Sequence, residues 1–121
     1  MRNTLPLQNL QIRTATFAVS VRNFIKEVPR TIANVEYSKQ LIRSSGSVAA
    51  NYIEANECLG RNDFFMRIRI SKKEAKESRL WLRLIDIEWN PVLEKRRTTL
   101  MNEARELTLI FASIVSRQKS K

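Results

Sequence analysis

Apolar residues recur at helical spacing in four stretches of this chain. In the first, Leu10, Phe17, Val21, Phe24 and Val28 fall on one stripe of a helix with about 3.6 residues per turn. Pro29 closes that stretch, because proline has no N–H to donate and disfavours helical geometry just before it. The spacing predicts a helix over about residues 7–28. The second stretch opens at Thr31, an N-cap residue type, and Ile32, Val35, Lys39, Ile42, Gly46, Ala49 and Ile53 carry it to about residue 59. Its middle is small (Ser44, Ser45, Gly46, Ser47, Ala49 and Ala50), which predicts close approach of a neighbouring helix at Gly46 and Ala49. A break at Ser44–Ser47 is the competing reading. Continuity is expected, since one Gly inside a helix costs only about 1 kcal/mol and no Pro intervenes. Gly60 is expected to cap this helix in a left-handed conformation.

The third stretch starts with Asn62 as N-cap and Asp63 in the first turn, where a carboxylate complements the helix dipole, and is expected over about 63–89. Asn90-Pro91 then pairs an N-cap residue with proline at the first helical position. Leu93, Arg97, Leu100, Ala104, Leu107, Phe111 and Ile114 continue the stripe to about residue 117, and the polar tail 117–121 is expected to fray. Four long helices with short connectors predict one all-α domain over 1–121, an antiparallel up-down-up-down bundle.

Composition agrees and narrows the chemistry. The chain has 121 residues with only 2 Gly and 3 Pro, too few to punctuate a turn-rich all-β fold. It has no histidine and a single cysteine, Cys58. That excludes Ser-His and Cys-His nucleophiles, the common zinc sites and an intrachain disulfide. Neither a Gly-rich phosphate loop nor a catalytic pair of carboxylates stands out, so no enzyme activity, metal or cofactor is expected. Asp86 and Glu88, two apart on a helix, point in different directions. Asn51 and Glu54 could act as an amide and a carboxylate in catalysis; the plainer reading is a buried hydrogen-bonded pair or an interface contact. The longest uncharged runs, residues 3–12, 44–53 and 107–116, are half the length of a membrane span of about 20 residues. Only Arg2 precedes a polar, Pro-containing start, which is no secretory signal. A cytoplasmic protein with no membrane partner is the expectation.

Charge adds a partner class. Lys and Arg number 22 against 12 Asp and Glu, a net charge of +10, and most of the surplus lies in the second half. Positive charge of this density favours polyanions, while a merely soluble basic surface is the plainer account. On the third helix, projection at about 100° per residue gathers Arg61, Arg69, Lys72, Lys73, Lys76, Arg79 and Arg83 within a third of the circumference, with Glu74 and Glu77 off that arc. These seven are the candidate nucleic-acid contacts. The same helix has two apolar sets. Phe64, Ile68, Ala75, Leu82, Ile85 and Trp89 are the candidate core face. Met66, Ile70, Trp81 and Leu84 form a second face, a candidate intersubunit patch, because covering one aromatic contributes about 4–6 kcal/mol before ordering costs. The alternative for Trp81 is a place on the rim of the protomer's own core.

The run from Gln40 to Ala55, together with Asp63-Phe64 and the run from Ser71 to Leu84, resembles the signature of the four-helix-bundle proteins named for the intervening sequence of 23S ribosomal RNA. The resemblance implies an antiparallel four-helix bundle and a ring-like homopentamer. It is similar in turn to the accessory variability proteins of diversity-generating retroelements, basic rings that work with a reverse transcriptase and RNA. A non-enzymatic, homo-oligomeric bundle that binds RNA or DNA through phosphates is therefore the expected function. A structural or adaptor protein with a protein partner, its charge serving solubility, is the alternative.

Overall fold

The computed structural model describes residues 10–120. Four helices fill it: α1 (Leu10–Ile25), α2 (Ile32–Glu57), α3 (Arg61–Leu84) and α4 (Pro91–Ser116), followed by a 3-10 turn at Arg117–Ser120. The expected helical start at residues 7–9 and the final Lys121 lie outside the described residues. Residue pairs across the helices run in opposite order. Asn34 meets Asp86, Ser44 meets Ser78, and Asn51 meets Arg67. Arg13 of α1 meets Glu103 of α4, while Arg96 lies over the Phe24 ring. Arg61 near the start of α3 reaches Arg117 O past the end of α4, and Arg97 of α4 reaches Ile85 O past the end of α3, so these two also run in opposite order and the bundle is up-down-up-down, with α3 packed most extensively, against α2 and α4.

Each boundary has a local cause. The end of α1 tightens through Glu27 N–H to Phe24 O and Val28 N–H to Ile25 O ahead of Pro29, three residues earlier than periodicity suggests. At the start of α2, Thr31 accepts from Asn34 N–H as N-cap. α2 is unbroken through Ser44–Ser47. Asn90 caps α4 by accepting from Val92 and Leu93 N–H, with Pro91 in the first turn.

Gly60 is not a left-handed C-cap. Its φ of −100° and ψ of 150° are extended, and it serves as the N-cap of α3, which therefore starts one residue before Asn62. No described glycine has positive φ. The far end of α3 stops at Leu84 instead of Trp89. Glu88 and Trp89 adopt φ of 53° and 65°, turning the chain sharply into α4. Trp89 is consequently 96% exposed rather than in the core, and Ile87 is buried in its place. Phe64, also assigned to the core, is half-buried, packing edge-on against the buried Phe65.

The core holds Leu10, Phe17, Phe24, Leu41, Ile68, Leu82, Leu107 and Phe111, all almost completely buried. On α1 and α4 these are the residues that the apolar stripes mark. On α2 they are not. The residues that α2 buries are Asn34, Leu41, Ser44, Ser45, Val48, Tyr52 and Ala55, whereas Ile32, Ile42 and Ile53 face out. The expected contact at Gly46 is likewise displaced: a Cβ built there would have nothing within 4 Å. Close approach of α3 does occur, on the adjacent face. The Ser44 and Ser78 hydroxyls hydrogen-bond at 2.8 Å, and Ser71 donates to Val48 O at 3.0 Å, beside Ala75.

Candidate nucleic-acid interface

The outward face of α3 follows from what its inward face buries. Phe65, Ile68, Ser71, Ala75, Ser78 and Leu82 turn toward α2 and α4. The opposite arc then presents Arg69, Lys73, Lys76 and Arg83 to solvent, with Lys72 and Arg79 half-buried at its margin and Arg61 exposed at its start. No carboxylate lies within 4 Å of any of the seven among the described residues. The two nearest acids in sequence are engaged elsewhere. Glu74, only 6% exposed, holds Arg43 of α2 through contacts of 3.2 and 3.4 Å, and Glu77 contacts the same guanidinium at 3.4 Å. Arg43 thus removes from the stripe the charges that could partly cancel it.

The seven cations do not form one uniform line. Arg61 lies over the Phe65 ring at 5.0 Å and reaches Arg117 O at 3.4 Å, while Arg69 donates to Gln118 Oε1. That half of the stripe is tied to the C-terminal turn. Toward the other end, Lys76, Arg79 and Arg83 line an open groove between α3 and α4 together with Arg105, a residue that periodicity on α3 alone cannot find. A half-buried acid is engaged between α1 and α4 as well: Glu103 accepts from Arg13 at 2.6 and 2.8 Å, which raises the Arg13 pKa further above its already high value.

Of the second apolar set, Met66 and Leu84 are exposed and Ile70 is half-buried. Trp81 differs from the expectation of an open tryptophan. It is half-buried against the core and stacks on Tyr37, with ring centroids 6.1 Å apart. Its place is the rim of the protomer's own core, and the outward apolar residues of α3 are Met66, Leu80 and Leu84.

Asn51 donates to Ser47 and accepts from Arg67 at 2.9 Å, while Glu54 is exposed and does not join it. Cys58 donates to Glu54 O. Sequence reading passes over Asn34, whose buried amide donates to Pro29 O and Asp86 O and accepts from Asp86 N–H. Among the described residues no group of three or more His, Cys, Asp or Glu could hold a metal ion, and no helix is long and apolar enough to cross a membrane.

The chain is thus a four-helix bundle with a cationic face on α3. The model of the 23S rRNA-intervening sequence protein family matches residues 9–113, and the chain belongs to that family. A crystal structure at 1.70 Å of a protein of unknown function from Bacteroides thetaiotaomicron VPI-5482, assigned to the S23 ribosomal protein family, is similar to it. The two share 30% identity with a TM-score of 0.73, over 87% of this chain and 96% of the other. No curated protein matches the chain.

Proposed function

We propose that this protein is a non-enzymatic, cytoplasmic homo-oligomer, the pentameric ring that the family resemblance implies, and that it holds RNA or DNA through phosphate contacts on α3. One observation carries the reading: seven cations share one face of α3, and Glu74 and Glu77 beside them are bound by Arg43. Unpaired cations on a helix face repel one another, so their clustering makes sense where an anion covers them. The family's name refers to 23S rRNA, which fits an RNA partner. Repetition of α3 around a ring would add the fields of its copies, and Met66 and Leu84 supply apolar surface for such an assembly.

Phosphate tracking makes binding steep in salt and weak in sequence preference. Changing Lys72, Lys73 and Lys76 together to Gln keeps helix propensity and removes three charges. Titration of labelled RNA and DNA hairpins at two salt concentrations should give a shallower slope of log K against log salt for the triple variant. The slope should fall in magnitude by about 0.9 for each duplex-DNA phosphate that the variant no longer neutralises. Absence of binding at low salt, or an unchanged slope, would replace this reading with a protein-binding adaptor.

A further inference from the structure

Within this surface the α3–α4 groove differs from the rest of the stripe. Its volume is about 340 Å³, and four cations from two helices, Lys76, Arg79, Arg83 and Arg105, converge on it. Its floor is apolar: Leu80 and Leu109 are 45% and 51% exposed, and Met101 lies between the helices. The Arg79 Nε–H is buried in the wall without an acceptor. An unpaired N–H of that kind is costly, and rotation of the guanidinium into the groove would present Nε and Nη to one anion as a two-pronged donor.

We infer that the groove seats a single unpaired nucleotide of a folded nucleic acid, its phosphate gripped by Arg79 and its neighbours and its base laid on the Leu80–Leu109 floor. The inference rests on the nucleic-acid reading above and narrows it. A paired backbone offers phosphates but nothing apolar, so it leaves the leucines uncovered. An extruded nucleotide offers both, and bases pack on guanidinium planes as well as on aromatic rings. The cations also continue beyond the groove along α3 through Lys72 and Arg69, a path that the phosphates on either side of the nucleotide can follow. The α3 face of a second copy is disfavoured as the occupant, because it would bring its own cations against the four of the groove.

The test compares two labelled RNA hairpins of equal length, one fully paired and one with a single-nucleotide bulge, against the full chain. Wild type should prefer the bulged hairpin by about fivefold, the equivalent of covering about 40 Å² of apolar surface. Arg79→Lys keeps the charge but not the fork, so the preference should fall toward unity with the salt slope unchanged. Leu80→Ser with Leu109→Ser, both at exposed positions, should erase the preference and leave paired-hairpin affinity intact. Equal affinity for the two hairpins, or a preference that survives either variant, overturns the groove assignment while the phosphate-binding reading stands. Failure to bind either hairpin at low salt removes both. A labelled Glu/Leu amphipathic peptide that binds more tightly than the bulged hairpin, and only with Leu80 and Leu109 in place, would assign the groove to an acidic protein segment instead.

Discussion

At position 46 a glycine sits in the middle of α2 with no neighbour for a side chain to meet. Its backbone is helical and exposed, so the residue contributes flexibility and nothing else that the fold uses. Gly46→Ala should therefore stabilise the protein by about 1 kcal/mol through helix propensity, read as a higher urea midpoint at unchanged m. A loss of stability would mean that the close contact expected from small residues lies at Gly46 after all. Hydrophobic periodicity misplaced that contact for a physical reason. The buried stripe of α2 runs through Asn34, Ser44 and Ser45, polar residues that a count of apolar positions passes over. They are buried at low cost because each hydrogen bond is made: Asn34 to Pro29 and Asp86, Ser44 to Leu41 and Ser78, and Ser45 to Ile42. Their partners sit up to 52 residues away in sequence, where no local pattern reaches.

At the scale of whole elements, α1 and α4 were legible because their buried stripes are apolar at nearly every position, Thr14 and Arg97 being the exceptions, and the Asn90-Pro91 start of α4 is a local signal of capping. α3 was harder, since it packs against two helices and leaves its third side to solvent. The cationic arc could be read from projection alone, but the groove could not, as Arg105 and Leu109 come from another helix. Placement of Trp81 against Tyr37 also changes which substitutions test self-association. Trp81→Glu would damage the protomer's own packing. Met66→Glu with Leu84→Glu alters exposed positions and places charge where a subunit contact would be desolvated. Light scattering should give wild type a mass several-fold above 14.1 kDa and the double variant a lower one, with the helical circular dichroism retained. A wild-type mass of 14.1 kDa at micromolar concentration would remove the ring from the proposal.

For the molecule as a whole, the surface proposed to bind polyanions is also one that opposes folding. Lys72–Lys76 and Arg69–Lys73 are like charges at i,i+4, while Arg69–Lys72, Lys73–Lys76 and Lys76–Arg79 are like charges at i,i+3. Each such pair costs a helix about 0.2–0.5 kcal/mol at low salt. The repulsion is not cancelled within the chain, because Glu74 and Glu77 face Arg43. Exposed charges are screened over about 30 Å at 0.01 M salt but only about 3 Å at 1 M. Raising the salt should therefore increase the thermal midpoint of wild type. The Lys72, Lys73 and Lys76 to Gln variant should be more stable than wild type at low salt, by about 1 kcal/mol, and the difference should close at high salt. Thermal melts of both proteins across that range measure it in the absence of any ligand. A triple variant no more stable than wild type at low salt would show that the α3 cations are already neutralised in the free protein. Greater stability of the variant at low salt, combined with a shallower salt slope for RNA, would trace folding strain and polyanion affinity to the same three side chains.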